Sequence, residues 1–136
     1  MQQIHVEPIQ IRKPRPQDDQ LGFGKYFTDH MFLMNYTREQ GWHNPRIVPY
    51  GPFQLEPSAM VLHYAQEVFE GMKAYRTADG AVQLFRPYEN ARRMNSSCQR
   101  MCIPQMDEEL FVEAVRRLVA LDADWVPRSE GASLYI

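Results

Sequence analysis

Met72-Lys73-Ala74-Tyr75-Arg76-Thr77-Ala78-Asp79-Gly80-Ala81-Val82-Gln83-Leu84-Phe85 holds two short extended runs around a four-residue turn. Asp-Gly between such runs is a hairpin signal, because the turn needs a residue that tolerates positive φ. Pro87 follows and suits the first position of a helix, where its missing N–H costs nothing. A stripe of Ala91, Met94, Cys98 and Met101 carries that helix to about Met101. A second helix begins at Asp107, an N-cap ahead of Glu108 and Glu109. It is expected to bury Leu110, Phe111, Ala114, Val115, Leu118, Leu121 and Trp125, with Glu113, Arg116 and Arg117 in solvent.

Working upstream, Ser58 to Phe69 fits a helical face capped by Ser58 and broken at Gly71. Arg46-Ile47-Val48-Pro49-Tyr50 reads as extended, but prolines at 45, 49, 52 and 57 argue for an edge strand or loop. Tyr26 to Tyr36 reads as a buried strand ended by a turn at Thr37 to Gly41. Residues 1–22, with Pro8, Pro14 and Pro16, read as an irregular arm with a short edge strand between Ile4 and Ile11. Downstream, Ala132 to Ile136 alternates like a strand just starting, and we expect more protein beyond it. The sum is an α+β domain, an antiparallel sheet flanked by helices.

The totals limit the functional classes. The 136 residues are 44% hydrophobic and 24% charged, with a formal net charge of −2, which suits one soluble globular core. Neither nucleic acid nor an anionic membrane is invited by that balance, and no apolar run is long enough to span a bilayer. The start of the chain lacks the pattern of a secretory signal, so a cytoplasmic location with reduced thiols is expected for Cys98 and Cys102. The scattered His5, His30, His43 and His63 have no companions at metal-ligand spacing, so no metal site is expected. His30 and His63 are expected to be packed structural residues.

Several stretches, taken in order, resemble the branched-chain amino-acid aminotransferases of PLP (pyridoxal 5'-phosphate) fold type IV. They are Phe23-Gly24-Lys25-Tyr26-Phe27-Thr28-Asp29-His30-Met31, the run from Leu62 to Ala74 containing Phe69-Glu70-Gly71-Met72-Lys73, Leu84-Phe85-Arg86-Pro87, Asn90-Ala91-Arg92-Arg93-Met94, Asp124-Trp125-Val126-Pro127 and Ser133-Leu134-Tyr135. The resemblance implies the small domain of the D-amino-acid-aminotransferase-like PLP fold over residues 23–136, after an arm at 1–22. It also implies transfer of the amino group of leucine, isoleucine or valine to 2-oxoglutarate by the full-length protein.

By the same resemblance Arg86 holds the PLP phosphate, for which a guanidinium at a helix start is well suited. Phe23, Tyr64, Phe69 and Tyr135 correspond to the substrate side-chain pocket, where aromatic surfaces suit a branched aliphatic chain. The bland alternative, aromatic residues as core, is preferred for Phe27, Phe32 and Phe85. The family's Schiff-base lysine falls beyond Ile136, in a C-terminal catalytic domain. Lys13, Lys25 and Lys73 lack its context, so the 136-residue chain is expected to be inactive and to bind no PLP on its own. Expected partners are that large domain, a second copy in a homodimer or higher oligomer, and the substrates, with neither nucleic acid nor membrane. Two alternatives stand beside this reading. One is another fold-type-IV enzyme, a D-amino-acid aminotransferase or aminodeoxychorismate lyase. The other is a non-catalytic binding or interaction module on the same scaffold.

Overall fold

The computed structural model describes residues 2–136, arranged as two three-stranded sheets and three helices. The first sheet contains β1 (His5–Val6), β2 (His30–Thr37) and β3 (Gly41–Pro49), in the order β1-β3-β2. The expected antiparallel pattern holds for β2 with β3 but not for β1, which runs parallel to β3, so this sheet is mixed. The arm's edge strand is only two residues long, yet it brings Ile4 into the core.

β3 is the central strand, which corrects the edge position or loop expected from its prolines. Between the pairs Leu33–Arg46 and Asn35–His43, β3 advances three residues while β2 advances two. This bulge falls at Asn44-Pro45, with Asn44 in the left-handed region (φ 55°). Pro45 therefore sits where the ladder is already interrupted, and Pro49 closes the strand, so neither ring removes a needed donor.

β4 (Lys73–Arg76) and β5 (Val82–Leu84) form the expected hairpin, with Gly80 at φ 88° in its turn. β6 (Leu134–Tyr135) adds to the other side of β4, giving the order β5-β4-β6. Met72 and Ile136 exchange both backbone hydrogen bonds, at 3.0 and 2.9 Å, and extend that pairing by one step.

The helix expected from Ser58 to Phe69 is only five residues long, α1 (Met60–Tyr64). Ser58 does not cap it, and Ala65 ends it in the left-handed conformation, well before Gly71. Not one residue of α1 is buried, so it has no packing to extend it. α2 (Pro87–Arg100) and α3 (Glu108–Leu121) follow closely the expected boundaries, and the Asp107 carboxylate accepts from the Leu110 N–H at 2.7 Å.

α3 is the element both sheets share. Val115 and Val119 pack with Met72, Ala74 and Val126 of the second sheet and its surroundings. Leu110 and Ala114 pack with Ile4 and Ile47 of the first. A helix covered on two sides needs more than one apolar stripe, and Val112 and Val119 are accordingly buried beyond the residues expected. No helix of the described residues is long and apolar enough to cross a membrane.

Candidate functional site

A cavity of about 780 Å³ opens where the loop before β2, the start of β4, α3 and the end of the chain converge. Its walls are mainly apolar and aromatic, among them Phe23, Tyr26, Phe27, Met72, Trp125 and Tyr135. Phe23 lies in a turn between Gly22 and Gly24, both at positive φ, so the backbone there takes a path closed to most residues. Phe23 is 82% exposed, and its ring meets the Tyr135 ring edge-on, with centroids 5.2 Å apart and planes at 69°. That is a favourable aromatic geometry, made by residues 112 positions apart in the sequence.

Of the four aromatic residues implied as pocket walls, the cavity brings together Phe23 and Tyr135. Tyr64, at the end of α1, and Phe69, in the loop after it, are strongly exposed and do not line it. Arg86 also lies outside the cavity, at the head of α2 in the left-handed conformation (φ 49°, ψ 50°). Its guanidinium is mostly exposed, with only a loose 3.6 Å contact to Glu89. The three lysines are absent from the cavity wall. Lys13 reaches the Thr28 carbonyl and the Tyr50 ring, and Lys73 is exposed on β4.

Phe27 and Phe85 depart from the core role expected of them. Both are exposed, and Phe27 stacks on Tyr50. Phe32 keeps the core role, packed against the Ile4–Ile47 cluster. His63 also departs from expectation: it is exposed, bonded only to the Pro57 carbonyl at 2.6 Å. Cys98 is buried and Cys102 exposed, both free, and burial pushes the Cys98 thiol up. Among the described residues no three His, Cys, Asp or Glu side chains could hold a metal ion.

Two polar networks flank the cavity, neither legible in the sequence. In the first, His30 and Asp122 are almost fully buried. His30 donates to Asp122 from its backbone N–H at 3.0 Å and from Nδ1 at 2.7 Å. The Ile9 N–H donates to His30 Nε2 at 3.1 Å, so the ring hydrogen belongs on Nδ1. Beside it, buried Asp29 accepts from the Trp125 indole at 2.9 Å and the Lys13 N–H at 3.0 Å. Burial raises the Asp29 carboxyl, but these hydrogen bonds outweigh it and hold it below the usual range. The expectation that His30 is structural is met, with partners 92 positions away that no local pattern announces.

In the second network Glu70, whose side chain is nearly buried at the cavity wall, takes the Arg93 guanidinium in a two-pronged grip. Asn90 Nδ2 donates to Glu70 Oε1 at 2.9 Å and to the Gly71 carbonyl at 3.1 Å. Arg93, against burial and with help from Asn90, holds the Glu70 carboxyl below its ordinary value. This joins the segment entering β4 to α2. Both partners lie inside the quoted stretches, but their pairing depends on how the hairpin folds against the helix.

No family model matches the chain. Among curated proteins, it is 54% identical over 135 residues to branched-chain-amino-acid aminotransferase 2 of Bacillus subtilis (strain 168), covering 99% of this chain and 37% of that protein. It is 58% identical over 133 residues to branched-chain-amino-acid transaminase 1 of the same organism, with 98% and 37% covered. The branched-chain-amino-acid aminotransferase of Mycolicibacterium smegmatis is 57% identical over 116 residues, 85% of this chain and 32% of its own length. The chain thus spans about a third of the length of the curated relatives it matches.

Proposed function

We propose, from the premise that this chain is a homologue of the branched-chain-amino-acid aminotransferases along 99% of its length, that it is the small N-terminal domain of such an enzyme. The whole protein then transfers the amino group of leucine, isoleucine or valine to 2-oxoglutarate. Its fold is that of the small domain of the D-amino-acid-aminotransferase-like, fold-type-IV enzymes, over residues 23–136 after the arm at 1–22. We infer a cytoplasmic homodimer or larger assembly in which a C-terminal domain supplies the Schiff-base lysine. That this chain spans only about a third of the length of its curated relatives supports that division of labour.

The observation that carries the reading is the apolar cavity whose rim is the edge-on pair Phe23–Tyr135. Such a wall excludes water from an aliphatic side chain and offers it dispersion contacts. Tyr64 and Phe69 present exposed rings that, in this reading, meet the substrate or a neighbouring domain on the far side of the site.

The residues present also fit the cofactor PLP, which when bound supplies the electron sink that amino transfer needs. Arg86 combines a guanidinium without a buried partner and a position at the start of a 14-residue helix, where the dipole favours an anion. Arg86 holds the phosphate in this reading, and Glu89 in the first turn of the same helix limits the local positive field.

The test is to express the complete reading frame containing this chain and measure amino transfer from leucine, valine and D-alanine to 2-oxoglutarate. Transfer from the branched L-amino acids, with cofactor affinity weakened tenfold or more (on the order of one charged hydrogen bond) in Arg86→Ala, is expected. Preference for D-alanine, or an unchanged cofactor affinity, would refute the assignment. In the 136-residue chain, borohydride should trap no PLP adduct on Lys13, Lys25 or Lys73.

A further inference from the structure

Among the glycines Gly71 has the least room for a side chain, and the atoms that crowd it belong to Tyr135 of the candidate site. A Cβ placed on it would lie 2.5 Å from Tyr135 Oη, 3.1 Å from Cζ and 3.4 Å from Cε2. The glycine is not demanded by its backbone, because Gly71 is not among the positive-φ residues. Nor does it end a helix, since α1 stops at Ala65. What demands it is the tip of the Tyr135 side chain, whose hydroxyl occupies the space a Cβ would take.

The backbone at Gly71 also has little freedom to retreat. Its carbonyl accepts from Asn90 Nδ2 at 3.1 Å and Arg93 at 3.4 Å, and its N–H donates to Glu70 Oε1 at 3.2 Å. One residue on, Met72 is tied to Ile136 by two backbone hydrogen bonds, beside the Lys73–Tyr135 pair of β4 and β6. With the main chain held on both sides, an added methyl group would have to be accommodated by the Tyr135 side chain. Tyr135 is 41% exposed, which gives its ring solvent to turn into, so the protein would stay folded while the ring left its place beside Phe23.

We propose that Gly71 is a specificity-determining position, whose missing side chain leaves room for the Tyr135 hydroxyl and so keeps the Tyr135 ring against Phe23 in the cavity wall. The proposal rests on the reading of this cavity as the substrate side-chain pocket. Any side chain at position 71 turns the tyrosine and reshapes the wall, changing which aliphatic chains fit rather than whether the protein folds.

Four forms of the complete protein test this: the parent, Gly71→Ala, Tyr135→Phe and Gly71→Ala/Tyr135→Phe. The Phe23 ring is followed by fluorine NMR after para-fluorophenylalanine incorporation, its signal assigned by its loss in Phe23→Leu. Discrimination between leucine and its straight-chain isomer norleucine is followed as a ratio of kcat/KM values. Since the closest clash is with the hydroxyl, we expect Gly71→Ala to shift the Phe23 signal and change the ratio about tenfold, in line with one methyl group in an apolar pocket. The double variant should recover most of both, because Phe lacks the offending oxygen.

An unmoved Phe23 signal in Gly71→Ala overturns the proposal, as does a moved signal with an unchanged ratio where Phe23→Leu does alter the ratio. No effect of either Phe23→Leu or Tyr135→Phe on the ratio identifies the other failure, that this cavity is not the side-chain pocket, and the proposal falls with it.

Discussion

Asp122 and His30 show how a pair of buried polar residues can be mutually satisfied. Asp122 receives both the backbone N–H and the Nδ1–H of His30, and the far ring nitrogen receives the Ile9 N–H. Replacing Asp122 by Ala leaves two buried donors without an acceptor, a loss of about 2–4 kcal/mol. Urea denaturation should register it, and a loss under about 0.5 kcal/mol would show that the pair is dispensable. Glu70 makes a pH prediction whose sign is set by Arg93. Its carboxyl is held below the ordinary carboxylate value in the folded chain, so the unfolded chain takes up the proton first as pH falls. The stability it contributes is present above its unfolded value of about 4.3 and is lost as pH falls further towards its folded one. Glu70→Gln has no such titration, and its unfolding free energy should vary less between neutral and acid pH than the parent's. Identical pH slopes would exclude Glu70 as a contributor. None of these pairings is local, which is why His30 could be read as structural while its partners could not be named.

At the scale of the element, strands and helices whose signals are local are found where the residues place them. The Asp-Gly hairpin, Pro87 opening α2 and Asp107 capping α3 each depend on φ or on a hydrogen bond within a few residues. Asp107→Ala should therefore cost about 1 kcal/mol in thermal or chemical unfolding. A cost near zero would mean that α3's start is secured by tertiary packing alone. The elements that differ are those decided from outside. α1 is short because nothing buries its apolar face, and Ser58 to Phe69 gives no hint of that. β3 is central despite two prolines because a bulge absorbs one and the strand's end the other. α3 buries residues on more than one stripe because two sheets use it, whereas a single periodic face suggests one.

For the whole molecule, the consequence of two sheets on one helix is a convergence of distant segments. The cavity is built by the loop before β2, the entry to β4, one face of α3 and the last residues of the chain. Much apolar surface is also uncovered elsewhere on the chain, including Phe53, Leu62, Tyr64 and Phe69. The isolated 136-residue chain should therefore self-associate, which sedimentation would detect as a mass rising with concentration. A strictly monomeric profile at every usable concentration would rule this out, and so would self-association undiminished in Tyr64→Ser/Phe69→Ser. The residues alone specified the α+β class, the hairpin, the two long helices and the family likeness, because those rest on periodicity, caps, turns and ordered motifs. Only the tertiary structure decided the central place of β3, the brevity of α1 and the exposure of Phe27 and Phe85. It also brought Phe23 to Tyr135 and set the Tyr135 hydroxyl against Gly71. These depend on which surfaces meet, and a contact between residues a hundred positions apart is fixed by packing rather than by any local rule.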